Sequence, residues 1–157
     1  MNEKNDIIRF LDEHQQEYYD LSDQIWSTPE LFFRETKSAE ALESFLEARG
    51  FKLTRGVANV PTAFTAEVGS GKPVVAILGE FDALPELSQT ACVAEKEPIV
   101  EGAPGHGCGH NALGTGSAAA AVALAEVLRE KNLPGTVRYY GCPAEECGAG
   151  KEFLVLG

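Results

Sequence analysis

A strand–helix–strand pattern between Val74 and Tyr140 constrains the fold of this chain more than any other feature. An aliphatic run from Val74 to Leu78 is followed, after a long loop, by an alanine-rich helical segment from Ala112 to Glu130. A second strand is predicted from Thr136 to Tyr140. Two strands joined through a helix form a parallel crossover, so the sequence predicts an α/β fold with a partly parallel sheet flanked by helices. The unbroken aliphatic character of the first strand predicts that both of its faces are covered.

The first half of the chain predicts two helices and a strand. Apolar residues recur at three- and four-residue steps from Ile7 to Ile25, which indicates one amphipathic helix that Pro29 ends or kinks. A second helix is predicted from near Thr36 to Leu46, with Gly50 at the position of its C-terminal cap. Alternation from Phe64 to Val68 predicts a half-buried strand.

The composition excludes several classes of partner. The chain has 157 residues, which suits one domain, and its formal net charge is −11, from 24 acidic against 13 basic residues. Without a basic stripe, we expect neither nucleic acid nor an anionic membrane as a partner. The polar N-terminus lacks the apolar core of a signal peptide, and the longest apolar stretch, Ala118 to Ala125, is too short to span a bilayer. We therefore expect a cytoplasmic protein with reduced cysteines.

Three clusters of ionisable residues lie where predicted elements meet. GEFDALPE follows the first crossover strand, GHGCGHN opens the alanine-rich helix, and GCPAEECGAG follows the second crossover strand, before a last helix predicted from Gly148. In open α/β sheets, ligands bind beyond the carboxyl ends of the strands. We therefore expect the three clusters to meet at one edge of the sheet.

The glycine-rich cluster indicates a metal site. Cys108 and His110 are two residues apart, so on an extended segment both side chains can face one ion while the glycines let the backbone bend around it. A nucleotide-binding loop is the alternative, because Gly107-x-Gly109-x-x-Ala112 partly matches a dinucleotide fingerprint. No β-branched strand leads directly into this segment, which favours the metal.

The carboxylates of the other two clusters could complete such a site. Glu145 and Glu146 would point to opposite faces of a regular strand, so their joint action requires a turn, which Pro143 and the following glycines favour. One carboxylate could then bind a metal while the other accepts a proton from water; otherwise the pair is ordinary solvated surface. Asp82 could cap a turn or could accept the ring N–H of a ligating histidine.

The remaining histidines and cysteines give weaker indications. His106 could be a ligand, a substrate contact or a loop residue, and we do not assign it as a ligand. His14 is predicted to be a partly covered structural residue. Cys92, Cys142 and Cys147 form no C-x-x-C pair and are predicted to be small buried residues.

The segments TPELFFRE, GEFDALPE, GHGCGHN and GCPAEECGAGK resemble the metal-dependent amidohydrolase and peptidase family of aminoacylases, carboxypeptidase G and indole-acetyl-amino-acid hydrolases. The resemblance extends at least from Pro29 to Lys151. Asn111 after CGH and the GCPAEE segment favour the aminobenzoyl-glutamate branch of that family.

This resemblance implies a centre of two divalent metal ions, zinc or manganese, that hydrolyses an amide bond. Cys108, His110 and Glu146 would be metal ligands, Glu145 the general base, and Asp82 the residue that orients the site. The implied substrate is an N-acyl amino acid such as p-aminobenzoyl-glutamate.

The resemblance also implies that residues 1–157 are the N-terminal part of a zinc-peptidase-like catalytic domain. Members of the family carry two further histidine ligands downstream and a lid domain that helps them to dimerise. We therefore expect the isolated chain to be inactive and the full-length protein to be a homo-oligomer. The alternatives are a non-catalytic metal-binding or interaction module that pairs with a second chain, and a nucleotide-binding fragment.

Overall fold

The computed structural model describes residues 3–146 and 148–156. One four-stranded mixed sheet is flanked by helices, as the sequence predicts. In chain order the elements are α1 Glu3–Glu13, α2 Gln15–Trp26, α3 Thr36–Glu47, β1 Lys52–Arg55, a 3-10 turn Val57–Asn59, β2 Phe64–Ser70, β3 Val74–Glu80, α4 His110–Glu130, β4 Gly135–Cys142 and α5 Gly150–Leu156.

The order of strands in the sheet is β1-β2-β4-β3. The β1–β2 and β2–β4 pairs are antiparallel, whereas β3 and β4 are parallel and are connected through α4. The predicted parallel crossover is therefore confirmed. It brings the ends of β3 and β4 to the same edge of the sheet, next to the first residue of α4.

The hydrophobic core lies between this sheet and helices α2, α3 and α4. Phe64, Val137 and Tyr139 project from β2 and β4 onto Leu42 of α3 and Val122 of α4, and all five side chains are buried. Burial of each such side chain stabilises the folded state by roughly 1.5–3 kcal/mol. The core therefore fixes α4 against the sheet, and with it the position of residues at the start of this helix.

The prediction that β3 is covered on both faces is wrong. Val74, Val75 and Leu78 are 51%, 39% and 49% exposed. The strand order explains the difference, because β3 is the edge strand beyond β4 and α4 packs on it from one side. A continuous aliphatic run shows that a strand is apolar, but it does not say which residues cover it.

The predicted helix from Ile7 to Ile25 is two helices that are separated at His14. The His14 Nδ1 atom lies 2.9 Å from the Phe10 carbonyl oxygen, and the imidazole stacks on the Phe10 ring. This local contact accompanies the end of α1. His14 is half-buried, which confirms its predicted structural role.

The other predicted elements are found within a few residues of their expected bounds, whereas one strand and the short 3-10 turn were not predicted. Gly50 follows α3 with a φ of 84°, in agreement with a C-terminal cap. The missed strand is β1, whose four residues KLTR are mostly exposed and carry no apolar alternation.

The cysteines only partly match their prediction. Cys142 is buried as expected, but Cys92 is exposed in the loop between β3 and α4. Cys147 lies outside the described residues.

By length and composition alone, helix α4 could cross a membrane. Its longest uninterrupted apolar stretch, Ala118 to Ala125, is nevertheless short. Its apolar residues have a different explanation, because Ala118, Ala121, Val122 and Ala125 belong to the core. A buried core helix has the same composition as a membrane span.

Close packing of α4 on β3 predicts opposite effects of two substitutions. A Cβ on Gly114 would lie 2.5 Å from the Glu80 carbonyl oxygen, whereas a Cβ on Gly116 would meet nothing within 4 Å. Gly114→Ala should therefore lower the free energy of unfolding by about 1–3 kcal/mol. Gly116→Ala should raise it by about 0.5–1 kcal/mol, because alanine favours the helix. Urea denaturation measures both, and equal effects would contradict the close contact.

Candidate metal centre

The three predicted clusters meet at the edge of the sheet where β3 and β4 end. His110 is the first residue of α4, Glu80 is the last residue of β3, and Glu145 and Glu146 follow β4. The His110 Nε2 atom lies 3.7 Å from a Glu80 oxygen, 3.7 Å from a Glu145 oxygen and 3.9 Å from Glu146 Oε1. Three carboxylates thus surround one nitrogen of a buried imidazole.

Two groups of potential ligand atoms overlap at His110. One group is Cys108, His110 and Glu146, and the other is Glu80, His110 and Glu145. Within each group the sulfur, nitrogen and oxygen atoms lie within 4.8 Å of one another. The structure therefore brings together the three residues that the sequence predicts as ligands, and it places the predicted base beside them.

Asp82 connects His110 and Glu146 through hydrogen bonds. Its side chain is almost completely buried, Oδ1 accepts the His110 Nδ1–H at 2.8 Å, and Oδ2 accepts the Glu146 backbone N–H at 3.0 Å. The Asp82 backbone carbonyl oxygen, which can only accept, also lies 3.1 Å from Nδ1, so this nitrogen is the donor. In the neutral imidazole the lone pair is then on Nε2 and faces the three carboxylates.

The donor set fits a divalent cation. A nitrogen lone pair and several carboxylate oxygens repel one another unless a positive charge lies between them. Glu146 Oε1 is buried and has no hydrogen-bond partner, which leaves a lone pair available to an ion. Thiolate, imidazole and carboxylate together suit zinc, and the carboxylates also suit manganese.

The carboxylates also change the pKa of the Cys108 thiol. The pKa of Cys108 is raised, mainly because its side chain hydrogen-bonds to Glu146, and further by partial desolvation and the negative charges of Glu146, Glu145 and Glu80. The same carboxylates next to the N-terminus of α4 would repel a phosphate, which normally favours such a helix end. The site therefore favours a cation over the nucleotide of the alternative interpretation.

Backbone turns, rather than an extended segment, direct the side chains into the site. Gly109 has a φ of 84° and caps α4, so the chain turns between Cys108 and His110. On the other side of the site, the turn expected at Glu145 and Glu146 is present, because Ala144 has a φ of 55° and the Gly148 N–H donates to the Glu145 carbonyl at 2.7 Å.

His106 lies outside both groups of potential ligands. Its Nε2 atom faces the Ile25 carbonyl oxygen at 3.2 Å, and burial lowers the pKa of this imidazole. Of the alternatives left open by the sequence, the structure supports a loop residue in contact with α2.

Three residues near the site were not assigned from the sequence. Glu80 lies in the first cluster and contacts His110, and Lys151 at the start of α5 forms an ion pair with Glu80. Glu35 is buried and hydrogen-bonds the backbone of Ala144, next to the turn. Position at the end of a predicted strand could have indicated Glu80, but Lys151 and Glu35 depend on contacts between distant segments.

The family model for peptidase family M20/M25/M40 matches residues 76–156. The matched stretch contains all three clusters.

Two curated proteins and a solved structure are similar to the chain. One subunit of the p-aminobenzoyl-glutamate hydrolase from Escherichia coli (strain K12) is 52% identical over 154 residues, covering 96% of this chain and 32% of that protein. A Xaa-Arg dipeptidase from Mus musculus is 35% identical over 147 residues, covering 86% of this chain and 30% of that protein. A Bacillus subtilis structure, described as a dinuclear metal-binding peptidase from the M20 family, has a TM-score of 0.72 at 27% identity, covering 92% of this chain and 39% of that one. The chain thus spans about a third of the length of these curated relatives.

Zinc is expected to protect Cys108 selectively from alkylation. A coordinated thiolate is a poorer nucleophile than a free one, so saturating zinc should slow iodoacetamide labelling of Cys108 by roughly tenfold or more. Cys92, which is also exposed, lies outside both ligand groups and should label equally fast with and without zinc. Peptide mass spectrometry measures both rates in one sample. Equal protection of both thiols, or of neither, would contradict the assignment of Cys108 as a ligand.

Proposed function

Because this chain belongs to peptidase family M20/M25/M40, we propose that it forms the first part of a catalytic domain that hydrolyses the amide bond of an N-acyl amino acid. The family match confirms the resemblance carried by the sequence motifs. The observation that carries the proposal is the convergence of Cys108, His110 and Glu146 with two further carboxylates at one edge of the sheet. The proposed substrate is p-aminobenzoyl-glutamate, in accordance with the name of the Escherichia coli relative.

We assign metal binding to Cys108, His110 and Glu146, with a centre of two zinc or manganese ions in the complete protein. Divalent cations held there would polarise the scissile carbonyl and would favour deprotonation of a water molecule. Of the three, Cys108 is exposed, Glu146 is half-buried and His110 is buried.

Glu145 is the proposed general base. Its side chain is 40% exposed, compared with 21% for Glu146, so water and substrate can reach it while it remains 3.7 Å from His110 Nε2. A carboxylate in this position accepts a proton from the attacking water and returns it to the leaving amine. Asp82 acts through others: it holds the His110 ring in one tautomer and one orientation, and it holds the backbone of Glu146.

The complete activity is assigned to a longer polypeptide. The chain spans about a third of its curated relatives, and we propose that further ligands, the lid and the groups that bind the substrate carboxylate belong to the remaining two thirds. On this proposal residues 1–157 alone bind metal but do not turn over substrate. The full-length protein is proposed to be a cytoplasmic homo-oligomer.

A chimera tests the proposed reaction. Residues 1–157 replace the matching part of the Escherichia coli subunit, and this chimeric subunit is combined with the rest of that hydrolase. Hydrolysis of p-aminobenzoyl-glutamate is then measured. We expect activity from the chimera and none from the isolated chain. Glu145→Gln should lower kcat by roughly 100-fold or more, because the proton acceptor is lost, with the metal content of the protein unchanged.

Glu146→Gln is the matched variant of that experiment. It makes the same chemical change one residue further along, and elemental analysis should show loss of bound metal together with loss of activity. A Glu145→Gln chimera with undiminished turnover would contradict the base assignment. Retention of all metal by Glu146→Gln would contradict the ligand assignment.

A second candidate function is that of an interaction module that pairs with another chain. The exposed apolar edge strand β3 favours this candidate, because an unpaired edge with Val74, Val75 and Leu78 exposed can accept a further strand. Size-exclusion chromatography with light scattering should then give a concentration-dependent dimer, and Val75→Lys should abolish it. A monomer at all concentrations would contradict this candidate.

A further inference from the structure

Glu35 is a buried carboxylate in the segment TPELFFRE that the proposed reaction does not use. Its exposure is 0%, and it occupies the residue before α3, where an acidic side chain usually accepts N–H groups of the first helical turn. That capping is done by Glu30 instead, whose two oxygens accept the Lys37 and Ser38 N–H groups at 3.2 and 2.9 Å. The Glu35 side chain is therefore free to point into the interior.

The Glu35 carboxylate joins three segments that are distant in sequence. Oε1 accepts the N–H groups of Phe33 and Ala144, both at 2.9 Å, and Oε2 accepts the Thr62 hydroxyl at 3.0 Å. Burial raises the pKa of Glu35, and these hydrogen bonds oppose that effect. When Glu35 is ionised, its hydrogen bonds are stronger than those between neutral groups.

The two backbone groups on Oε1 belong to residues in an unfavourable conformation. Phe33 and Ala144 have φ angles of 59° and 55°, in the left-handed region that residues other than glycine rarely adopt. Such residues persist only where the surrounding structure holds them. Ala144 directly precedes Glu145 and Glu146, so its conformation sets the direction in which both carboxylates leave β4.

Two buried carboxylates thus hold the same turn at two points. Glu35 accepts the N–H of Ala144, and Asp82 accepts the N–H of Glu146, two residues further along. We propose that Glu35 is a positioning residue that fixes this turn so that the Glu146 carboxylate faces Cys108 and His110. The consequence for metal binding rests on the proposed function, whereas the effect on the turn does not.

Amide hydrogen exchange of the 157-residue chain tests the effect on the turn without metal. Glu35→Ala should accelerate exchange of the Glu146 amide by roughly tenfold or more, because loss of one anchor lets the turn open. Exchange of the Val122 amide, in the core part of α4, should accelerate only by the factor that the fall in global stability accounts for, which urea denaturation of the same variants measures. Asp6→Ala is the matched control, since Asp6 is a buried carboxylate that pairs with Lys131 outside the site.

Zinc titration of the same variants tests the effect on the metal. Glu35→Ala should weaken zinc affinity by roughly tenfold or more, as loss of a residue that orients a ligand does. Glu35→Gln should bind like the original chain, because its amide oxygen can accept both backbone N–H groups while the Thr62 hydroxyl turns to accept from its NH₂ group. Asp6→Ala should also leave zinc affinity unchanged.

The outcomes separate this inference from the proposed function. If the original chain binds no zinc while Glu35→Ala still accelerates hydrogen exchange of the Glu146 amide, the proposed function fails and the positioning role stands. If Glu35→Ala leaves both the Glu146 amide and zinc affinity unchanged, the positioning role is overturned. Should Glu35→Ala not fold, Glu35→Asp keeps the charge but withdraws the carboxylate by one methylene, and the same two measurements decide.

Discussion

The whole site depends on the buried carboxylate of Asp82. One of its oxygens holds the imidazole of His110 and the other holds the backbone of Glu146, so a helix start and a loop after β4 are joined through a single side chain. A carboxylate is suited to this because it accepts hydrogen bonds at both oxygens and never competes as a donor. Its burial keeps water from replacing either bond, so the ring and the loop keep their relative position.

The parallel crossover explains how Asp82 reaches that position. Asp82 follows β3, which pairs with β4 along seven residues, so the ends of both strands lie side by side. The close approach of Gly114 to the carbonyl of Glu80 then brings the N-terminal part of α4 against the end of β3. The core supplies the free energy of folding at a distance from the site, and the site residues can be polar and charged without being required for the fold.

The sequence predicted the parts of this arrangement that follow from local pattern. Cys108 and His110 could be predicted because glycine spacing and ligand type are both visible in seven residues, and the crossover topology then places Asp82 and Glu146 nearby. Glu35 could not be predicted, because its hydrogen bonds join residues 109 positions apart. The exposure of β3 could not be predicted either, because it depends on the order of the strands in the sheet, and the aliphatic run of β3 does not show that this strand lies at the edge.

The electrostatics of the site bear on why several carboxylates that repel one another lie together at the edge of the sheet where β3 and β4 end. Oxygens of Glu80 and Glu145 lie within 4.8 Å of each other, and two carboxylates this close repel one another when both are charged. In the described part of the chain, Lys151 is the cationic side chain that pairs with Glu80, and one charge does not balance the carboxylates around His110. The divalent cation proposed above would balance them, so its binding energy and the stability of this edge would be linked, and the buried hydrogen bonds would hold the like charges together in its absence.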